Sequence, residues 1–387
     1  MIKKINLKSI CIIAGDHSAD EPGAHIINKF KYLYPNLKVF GIGGEEMQNQ
    51  EMKLLYHSND TTFMGFFEIL KHLLFVRRMF KNVISAIKKT KPDAIILIDY
   101  PGFNLRLAKK LKRVNIPIFY YIAPQTWAWK EGRVKQIYKY IDHLFVIYPF
   151  EKKYFAQYKI PVTYVGNPLA RSIVNKSFPF DPLKQLGLNK DLPIISFLPG
   201  SREQEIKKHL PVIFETIKIL HKKFHHWQFV ISKSKNISQE IWDKYYVTSN
   251  CYVYKSDINY LLAHSSAIAV ASGTASLQAA LHKKPMVIFY KTSPITYFIA
   301  RLVTKMRFIG MINILDGNQL VTELIQNKFT ADELSTEIQK EVLTFNHQSI
   351  KKARIKKAVD NLLVENSTEK MIEIMLELLY KNKNKQH

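Results

Sequence analysis

The stretch Ala94-Ile-Ile-Leu-Ile-Asp99-Tyr-Pro-Gly-Phe-Asn104 passes directly from apolar residues into a carboxylate and then a turn. An apolar run between Pro92 and the pair Pro101-Gly102 predicts a strand that is buried on both faces, as in a parallel sheet. In open α/β sheets, ligands bind beyond the carboxyl ends of the strands. Asp99 stands at that end of the predicted strand and is therefore the first candidate for a functional residue.

Similar apolar runs alternate with helical patterns along the chain, which predicts an α/β protein. The predicted strands cover residues 9–14, 39–44, 94–98, 116–122, 143–147, 162–165, 194–198, 229–231, 251–254, 267–270 and 285–290. Residues 321–326 are expected to begin a helix. The pattern breaks near 176–182, so we expect two doubly wound parallel-sheet domains, 1–175 and 176–345. Residues 346–387 are expected to form helices that pack back on the first domain.

The charge balance of the chain is strongly basic. It has 57 Lys and Arg against 32 Asp and Glu in 387 residues, a formal net charge of +25, which favours anionic partners such as phosphorylated substrates or anionic lipid. Cys11 and Cys251 lie in apolar segments without metal-ligand spacing, which indicates buried thiols in a reducing compartment. The apolar run 10–14 is too short for a signal peptide, and no run is long enough for a transmembrane helix.

Two loops in the second half of the chain combine small residues and hydroxyls at predicted helix N-termini. Gly200, Ser201 and Arg202 follow one strand, and Ser272-Gly273-Thr274-Ala275 follows another. Glycine permits close backbone approach, while helix amides and a guanidinium bind phosphate oxygens. The alternative is structural: Ser201 caps the helix and Arg202 pairs with Glu205. Two such loops in one domain favour a nucleoside diphosphate ligand.

Residues 64–90 form a predicted helical region with more apolar residues than one buried face requires. Arg77, Arg78 and Lys81 add cations, a pattern typical of a helix that lies at a membrane surface. The alternative is a core helix with a solvated basic face. The basic net charge favours the membrane surface.

A series of short motifs occurs along the chain in a specific order. They are Gly15-x-x-Ser18-x-Asp20, Gly41-Ile-Gly43-Gly44 before Met47, Met64-Gly-x-x-Glu68, Ile98-Asp99-x-Pro101-x-Phe103-Asn104, Pro124-x-x-Trp127-Ala-Trp129 with Arg133, Leu198-Pro-Gly-Ser-Arg202, Ser272-Gly-Thr-Ala275, and Asn313 ahead of Glu323-Leu-x-Gln326. This ordered set, over nearly the whole chain, resembles the lipid A disaccharide synthase family. That family consists of glycosyltransferases with two Rossmann-like domains facing across a cleft, the GT-B fold.

The resemblance implies inverting transfer of 2,3-diacylglucosamine from its UDP conjugate to the 6-hydroxyl of 2,3-diacylglucosamine 1-phosphate, giving a β-1,6-linked disaccharide and UDP. Asp99 is expected to be the base, and no metal or other cofactor is expected. The residues implied for the UDP-sugar donor are Gly200, Ser201, Arg202, Ser272, Gly273, Thr274, Ala275, Gln278, Tyr290, Asn313 and Glu323. Those implied for the first loop and the acceptor side are Gly15, Asp16, Ser18, Asp20, Met64, Glu68, Asn104, Gln125 and Trp127.

The resemblance also implies a location. We expect a cytoplasmic enzyme, peripheral on the inner face of the inner membrane of a Gram-negative bacterium, with an anionic membrane surface as a partner. A homodimer is compatible with this expectation. Nucleic acid is not an expected partner, because the basic charge is accompanied by no nucleic-acid-binding motif.

Several positions depart from the pattern of the family. Asp16 stands where Glu is usual, His17 is unexpected, Ala19 replaces a glycine, Asn167 stands where His is usual, Ile312 replaces a proline, and Gln278 replaces a Glu. Asp99 and Arg202 are kept.

An alternative on the same fold is an enzyme like UDP-N-acetylglucosamine 2-epimerase, which would not need the apolar and basic segment 64–80.

Overall fold

The computed structural model describes residues 5–61, 66–129, 132–174, 181–234, 237–243, 251–304 and 306–384. The chain divides into two units. The first comprises Met1–Pro168 together with Val364–His387, and the second comprises Leu169–Leu363. Each unit is built around one parallel β-sheet.

The first unit contains a seven-stranded sheet. Its strands are β1 (Ser9–Ala14), β2 (Lys38–Gly43), β3 (Lys53–His57), β4 (Ala94–Ile98), β5 (Ile118–Tyr121), β6 (His143–Val146) and β7 (Val162–Tyr164). Their spatial order is β3-β2-β1-β4-β5-β6-β7, and all neighbours pair in parallel. The chain extends the sheet from β1 in one direction and from β4 in the other. The topological switch point, where ligands bind in such sheets, therefore lies between β1 and β4.

The second unit contains a six-stranded sheet of the same type. Its strands are β8 (Ile194–Leu198), β9 (Gln228–Ser232), β10 (Cys251–Tyr254), β11 (Ala267–Ala271), β12 (Met286–Tyr290) and β13 (Thr322–Ile325). The order is β10-β9-β8-β11-β12-β13, again with parallel neighbours. The switch point of this sheet lies between β8 and β11.

Helices follow most of the strands, as parallel connections require. They are α1 (Asp20–Leu33), α2 (Glu45–Asn49), α3 (Phe66–Thr90), α4 (Pro101–Leu111), α5 (Gly132–Tyr140), α6 (Pro149–Ala156), α7 (Pro168–Val174), α8 (Pro182–Gln185), α9 (Glu203–Lys223), α10 (Gln239–Asp243), α11 (Ile258–His264), α12 (Thr274–Leu281), α13 (Pro294–Val303), α14 (Met311–Asp316), α15 (Ala331–Thr344), α16 (Ser349–Asp360) and α17 (Ser367–Asn384). Two parallel α/β sheets with a helical C-terminus confirm the predicted fold class.

The cores are built from the apolar strands and from the apolar faces of the helices. In the first unit, β4 is buried along its whole length, and α3 presents Met79, Val83 and Ile87 to the same core at a spacing of four residues. In the second unit, α9 buries a stripe that includes Leu210 and Ile217. Both cysteines are buried free thiols, as expected.

Two edge strands were not among the predicted ones. Thr322–Ile325 forms β13, so the expectation that residues 321–326 begin a helix is wrong. Lys53–His57 forms β3. Both strands are short and only partly buried, so they lack the long apolar runs that identify the central strands.

The observed division of the chain differs from the predicted boundaries. The first unit ends at Pro168 rather than at 175, and residues 175–180 of the expected linker lie outside the described part. Of the C-terminal helices, only α17 belongs to the first unit. It contacts α1, and Lys29 pairs with Glu369 at 3.2 Å. α16 belongs to the second unit, where it contacts α14 and where Arg354 forms a bidentate ion pair with Asp316.

Candidate active site

The switch point of the first sheet carries two carboxylates. β1 and β4 pair through Ala14 and Ile98 at their carboxyl ends, so Asp16 and Asp99 follow neighbouring strands. Neighbouring strands lie about 5 Å apart. The structure thus brings together a residue expected in the first loop and the residue expected to be the base.

The backbone at Asp99 is held in a strained conformation. Asp99 and Tyr100 both have φ of +46°, in the left-handed region that costs a non-glycine residue about 1–2 kcal/mol. The Asn104 amide donates to the Asp99 carbonyl at 2.8 Å, and the Tyr120 hydroxyl donates to it at 2.5 Å. Asn104 is fully buried, and its amide fixes the backbone at Asp99. Strain that is held in this way is typical of functional sites.

The environment of Asp99 tunes its protonation. Burial is the main cause that raises its pKa to about 6, and the negative charge of Asp16 is a second cause; the backbone N–H of Tyr100 opposes them. Burial also raises the pKa of Asp16. A carboxylate with a pKa near 6 is mostly ionised at neutral pH yet more basic than an ordinary Asp. It is therefore suited to general-base catalysis.

Replacing Asp16 by Asn is expected to lower the pKa of Asp99, because the change removes a neighbouring negative charge. The acidic limb of the pH dependence of kcat/KM then moves to lower pH. The shift is smaller than the whole rise of Asp99 above its ordinary value, since burial is the larger cause. Glu45→Gln, at an exposed carboxylate of the same unit, is the matched control and leaves the limb in place. An unmoved limb in Asp16→Asn would show that the two carboxylates are not coupled.

The remaining residues of the first loop have different environments. A Cβ atom at Gly15 would lie 2.3 Å from the Tyr100 ring, so only glycine lets the two loops pack. Ser18 is exposed. The Asp20 carboxylate accepts the backbone N–H groups of Gly44 at 2.8 Å and Met47 at 3.1 Å, both beyond the end of β2. Asp20 thus caps α2, a structural role that the motif alone does not distinguish from ligand binding.

A buried carboxylate that the sequence analysis did not select holds the tryptophan loop. Glu151 is fully buried and accepts the Trp127 indole N–H at 2.9 Å together with the backbone N–H groups of Ile147 and Tyr148. Burial raises the pKa of Glu151 to about 7. Trp127 also packs edge-on against Phe150. Trp127 is therefore fixed, whereas the neighbouring candidate Gln125 is exposed.

Replacing Glu151 by Gln is expected to lower the free energy of unfolding by about 1–3 kcal/mol. All three partners of Glu151 are donors, so the amide NH2 group of Gln faces one of them without an acceptor. Denaturant unfolding measures the loss. Trp127→Phe removes the indole N–H and part of the ring but leaves Glu151 with its two backbone donors, and it is expected to cost less. Equal stability of Glu151→Gln and wild type would show that Glu151 does not hold this loop.

The switch point of the second sheet brings the two predicted phosphate loops together. β8 and β11 pair through Leu198 and Val270 near their carboxyl ends, so the loops that precede α9 and α12 are neighbours. Gly200 has φ of +114° and Gly273 has φ of +150°, conformations that favour glycine. Thr274 is exposed at the first position of α12, and Ala275 and Gln278 of that helix are partly exposed.

Glu205 is the buried centre of the loop after β8. Its carboxylate accepts the backbone N–H groups of Ser201 at 3.0 Å and Arg202 at 3.2 Å, the Arg202 guanidinium at 3.0 Å and the Tyr290 hydroxyl at 3.2 Å. The predicted structural alternative is thus observed for Arg202. It is not observed for Ser201, because Glu205 caps the helix instead. The Arg202 side chain is nevertheless 70% exposed, so it remains accessible from solvent.

Asn313 and Glu323 are brought together, but they bind each other. The Asn313 amide donates to Glu323 at 2.8 Å, and its oxygen accepts the backbone N–H groups of Leu320 and Val321. Glu323 also accepts the N–H of Gly310 at 2.9 Å. Asn313 is fully buried with both ends of its amide engaged. Its position supports a role in holding the loop between α14 and β13, at Leu320 and Val321, rather than in direct contact with a ligand.

His209 links the phosphate loop to the end of β12. Its Nδ1 lies 2.6 Å from the Pro199 carbonyl oxygen, and its Nε2 accepts the backbone N–H of Lys291 at 3.0 Å. Burial lowers the pKa of His209, so the ring is neutral and one tautomer, with the proton on Nδ1, satisfies both bonds. The sequence analysis missed this residue. The only feature of the sequence that could have identified His209 is its place among the apolar residues of α9.

Two expected acceptor-side residues fall partly or wholly outside the described residues. Met64 is not described, and Glu68 lies in α3 where only the backbone is described. Within the described ranges, no group of three or more His, Cys, Asp or Glu side chains is arranged to hold a metal ion.

A family model described as lipid-A-disaccharide synthetase matches residues 10–377 of the chain. The chain belongs to this family. Lipid-A-disaccharide synthase of Coxiella burnetii strain RSA 331 / Henzerling II is 36% identical over 333 residues, covering 86% of this chain and 88% of that protein. Lipid-A-disaccharide synthase 1 of Legionella pneumophila strain Paris is 37% identical over 333 residues, covering 85% and 87%. The chain is thus a glycosyltransferase of this family, as its motifs predict.

Solved structures share the fold at low sequence identity. A calicheamicin glycosyltransferase has a TM-score of 0.61 and 12% identity, with 97% of this chain and 98% of that chain covered. UDP-GlcNAc 2-epimerase from Neisseria meningitidis has a TM-score of 0.60 and 15% identity, with 95% and 100% covered. These likenesses confirm the GT-B fold. The epimerase likeness reflects the fold alone, and the family match favours the synthase over the epimerase alternative.

None of the helices in the described part of the chain combines the length and apolarity needed to cross a membrane.

Proposed function

We propose that the chain transfers 2,3-diacylglucosamine from its UDP conjugate to the 6-hydroxyl of 2,3-diacylglucosamine 1-phosphate. The proposal rests on one observation within the family: Asp99, with a pKa raised to about 6, stands at the switch point of the first sheet. The products are a β-1,6-linked disaccharide 1-phosphate and UDP.

Inversion needs one base and one leaving group on opposite faces of the donor sugar. The Asp99 carboxylate takes the proton from the 6-hydroxyl as that oxygen attacks the anomeric carbon. The bond from the anomeric carbon to the diphosphate oxygen breaks at the same time, and its electron pair leaves with UDP. The proton ends on Asp99 and is later released to solvent, so the step is balanced without a redox partner.

The leaving diphosphate gains negative charge that the second unit is suited to stabilise. The guanidinium of Arg202 and the first amides of α12 supply donors at this switch point, whereas Glu205 already caps α9. Glu205 orients Arg202, and His209 holds the loop that carries it. We assign Gly200, Ser201, Thr274 and their neighbours to the diphosphate, and the β12 end with Tyr290 to the rest of the donor.

The substrates carry acyl chains and reside in a membrane, so the enzyme must work at a membrane surface. We propose peripheral association with anionic lipid at the cytoplasmic face of the inner membrane through α3. Leu74 is 75% exposed on this helix beside exposed Arg77 and Arg78, whereas Met79 is buried. Among the described side chains of α3, one face is core and the opposite side carries Leu74 with the two cations, which supports the proposed membrane contact.

The test is conversion of the two acylated substrates by the pure chain in detergent micelles with EDTA. We expect disaccharide and UDP in equal amounts, with the β linkage identified by NMR. The Asp99→Asn chain is the matched negative control. Conversion that requires an added divalent metal would contradict the metal-free mechanism. A chain that instead interconverts UDP-N-acetylglucosamine and its 2-epimer would overturn the proposed function.

A further inference from the structure

α13 displays an apolar stripe that no described part of the chain covers. The helix has no buried residue. Its large apolar side chains, which share one face at spacings of three and four residues, are between 53% and 75% exposed. They are Ile295, Phe298, Ile299, Leu302 and Val303. A stripe of this kind normally faces a core, as α9 shows in the same unit, where Ile206, Leu210 and Ile213 are buried.

The helix is locally well formed despite its exposure. Ser293 stands at the N-cap and accepts the backbone N–H of Thr296 at 3.1 Å, and Pro294 follows at the first helical position. The apolar stripe is therefore presented on a defined helical surface.

The sequence segment that contains α13 carries only positive charges. Residues 291–315 include Lys291, Arg301, Lys305 and Arg307 and contain no Asp or Glu. Arg301 and Arg307 are exposed. Cations beside an apolar face complement a surface that is anionic outside and apolar beneath.

We propose that α13 is a membrane-binding helix that lies in the headgroup region of an anionic bilayer with its apolar stripe inserted. Ten residues extend about 15 Å, half of a bilayer core, so the helix lies in the surface rather than across it. A second copy of the chain is a poorer occupant. Two identical faces related by a two-fold axis would bring their like charges together with no acidic residue in this segment to balance them.

This contact adds a second membrane-binding element, on the unit that carries the phosphate loops. α13 begins four residues after Tyr290, at the carboxyl end of β12. Insertion of α13 brings that sheet edge to the surface from which an acylated donor would enter. This consequence rests on the proposed function, whereas membrane binding by α13 does not.

The test measures how strongly wild type and variants bind to sedimented vesicles made of a mixture of phosphatidylglycerol and phosphatidylcholine. The variant Ile295→Ser/Phe298→Ser/Leu302→Ser removes three exposed apolar side chains, and we expect it to bind roughly a hundred-fold more weakly than wild type. The matched control, Leu343→Ser/Ile350→Ser, alters exposed apolar residues elsewhere in the second unit and is expected to bind like wild type. Vesicles of phosphatidylcholine alone are expected to bind wild type weakly.

Equal vesicle binding by wild type and the triple variant would overturn the proposal. So would a change of the triple variant from dimer to monomer in analytical ultracentrifugation, which would make the stripe an interface between copies. Phe298→Trp supplies a second measurement: brominated lipid is expected to quench its added fluorescence, and an unquenched signal would contradict insertion. A chain that binds vesicles through α13 but makes no disaccharide would retain this inference and refute the proposed function.

Discussion

Replacement of Asp99 by Asn is expected to lower kcat by about 10²–10⁴-fold, the range that a general base contributes. Asn matches Asp in shape and tolerates the left-handed backbone at φ of +46°, so the loop is kept while the base is lost. The affinity for UDP is expected to stay unchanged, because the phosphate loops belong to the other unit. Steady-state turnover and calorimetric titration with UDP measure the two effects separately.

Asp60→Asn is the matched control for this variant, since Asp60 is an exposed carboxylate of the same unit. It is expected to retain wild-type turnover. If Asp99→Asn instead lost UDP binding and thermal stability together with turnover, Asp99 would be a structural residue and the proposed mechanism would lose its base.

Replacement of Arg202 by Ala is expected to weaken UDP binding by about ten- to a hundred-fold. Hydrogen bonds to charged groups contribute about 1.5–3 kcal/mol, and the guanidinium is the cation carried by the loop after β8. Arg202→Lys is expected to fall between wild type and Arg202→Ala, because it keeps the charge and loses the planar fork of donors. Titration with UDP measures all three proteins.

Removing the Arg202 side chain also deprives Glu205 of its ion-pair partner. The direct effect on UDP binding must therefore be distinguished from an effect on Glu205. Lys207→Ala, which removes an exposed cation one turn further along α9, is the matched control and is expected to leave UDP affinity intact. Wild-type UDP affinity in Arg202→Ala would remove Arg202 from the diphosphate site. If Arg202→Ala and Arg202→Lys both bound UDP more weakly and both melted at a lower temperature, the ion pair with Glu205 would be structural.

The central strands and the functional loops at their ends could be predicted from the sequence because long apolar runs end in loops of distinctive composition. β4 and its Asp99 are the clearest example. The edge strands β3 and β13 could not be predicted in this way, since they are mostly only partly buried and their periodicity is too short to separate strand from helix.

Some of the candidate site residues could likewise be identified from the sequence, and others could not. Motifs selected Asp99, Arg202 and Asp16 as polar residues at strand ends, and the fold brings the two carboxylates together. The same motifs selected Asp20 and Asn313, whose polar groups are engaged in holding loops. Burial and hydrogen-bond partners distinguish these roles, and both depend on tertiary contacts that are distant in sequence. Glu151 and His209 were missed for the same reason, because their partners lie in other elements.

The pH dependence of kcat/KM for disaccharide formation tests the central claim, that Asp99 is a general base tuned by its position. The base must be ionised, so the rate is expected to fall as pH drops through an apparent pKa of about 6. The residual activity of Asp99→Asn is expected to lack this limb. A wild-type profile without a limb near pH 6, or the same limb in Asp99→Asn, would contradict the account.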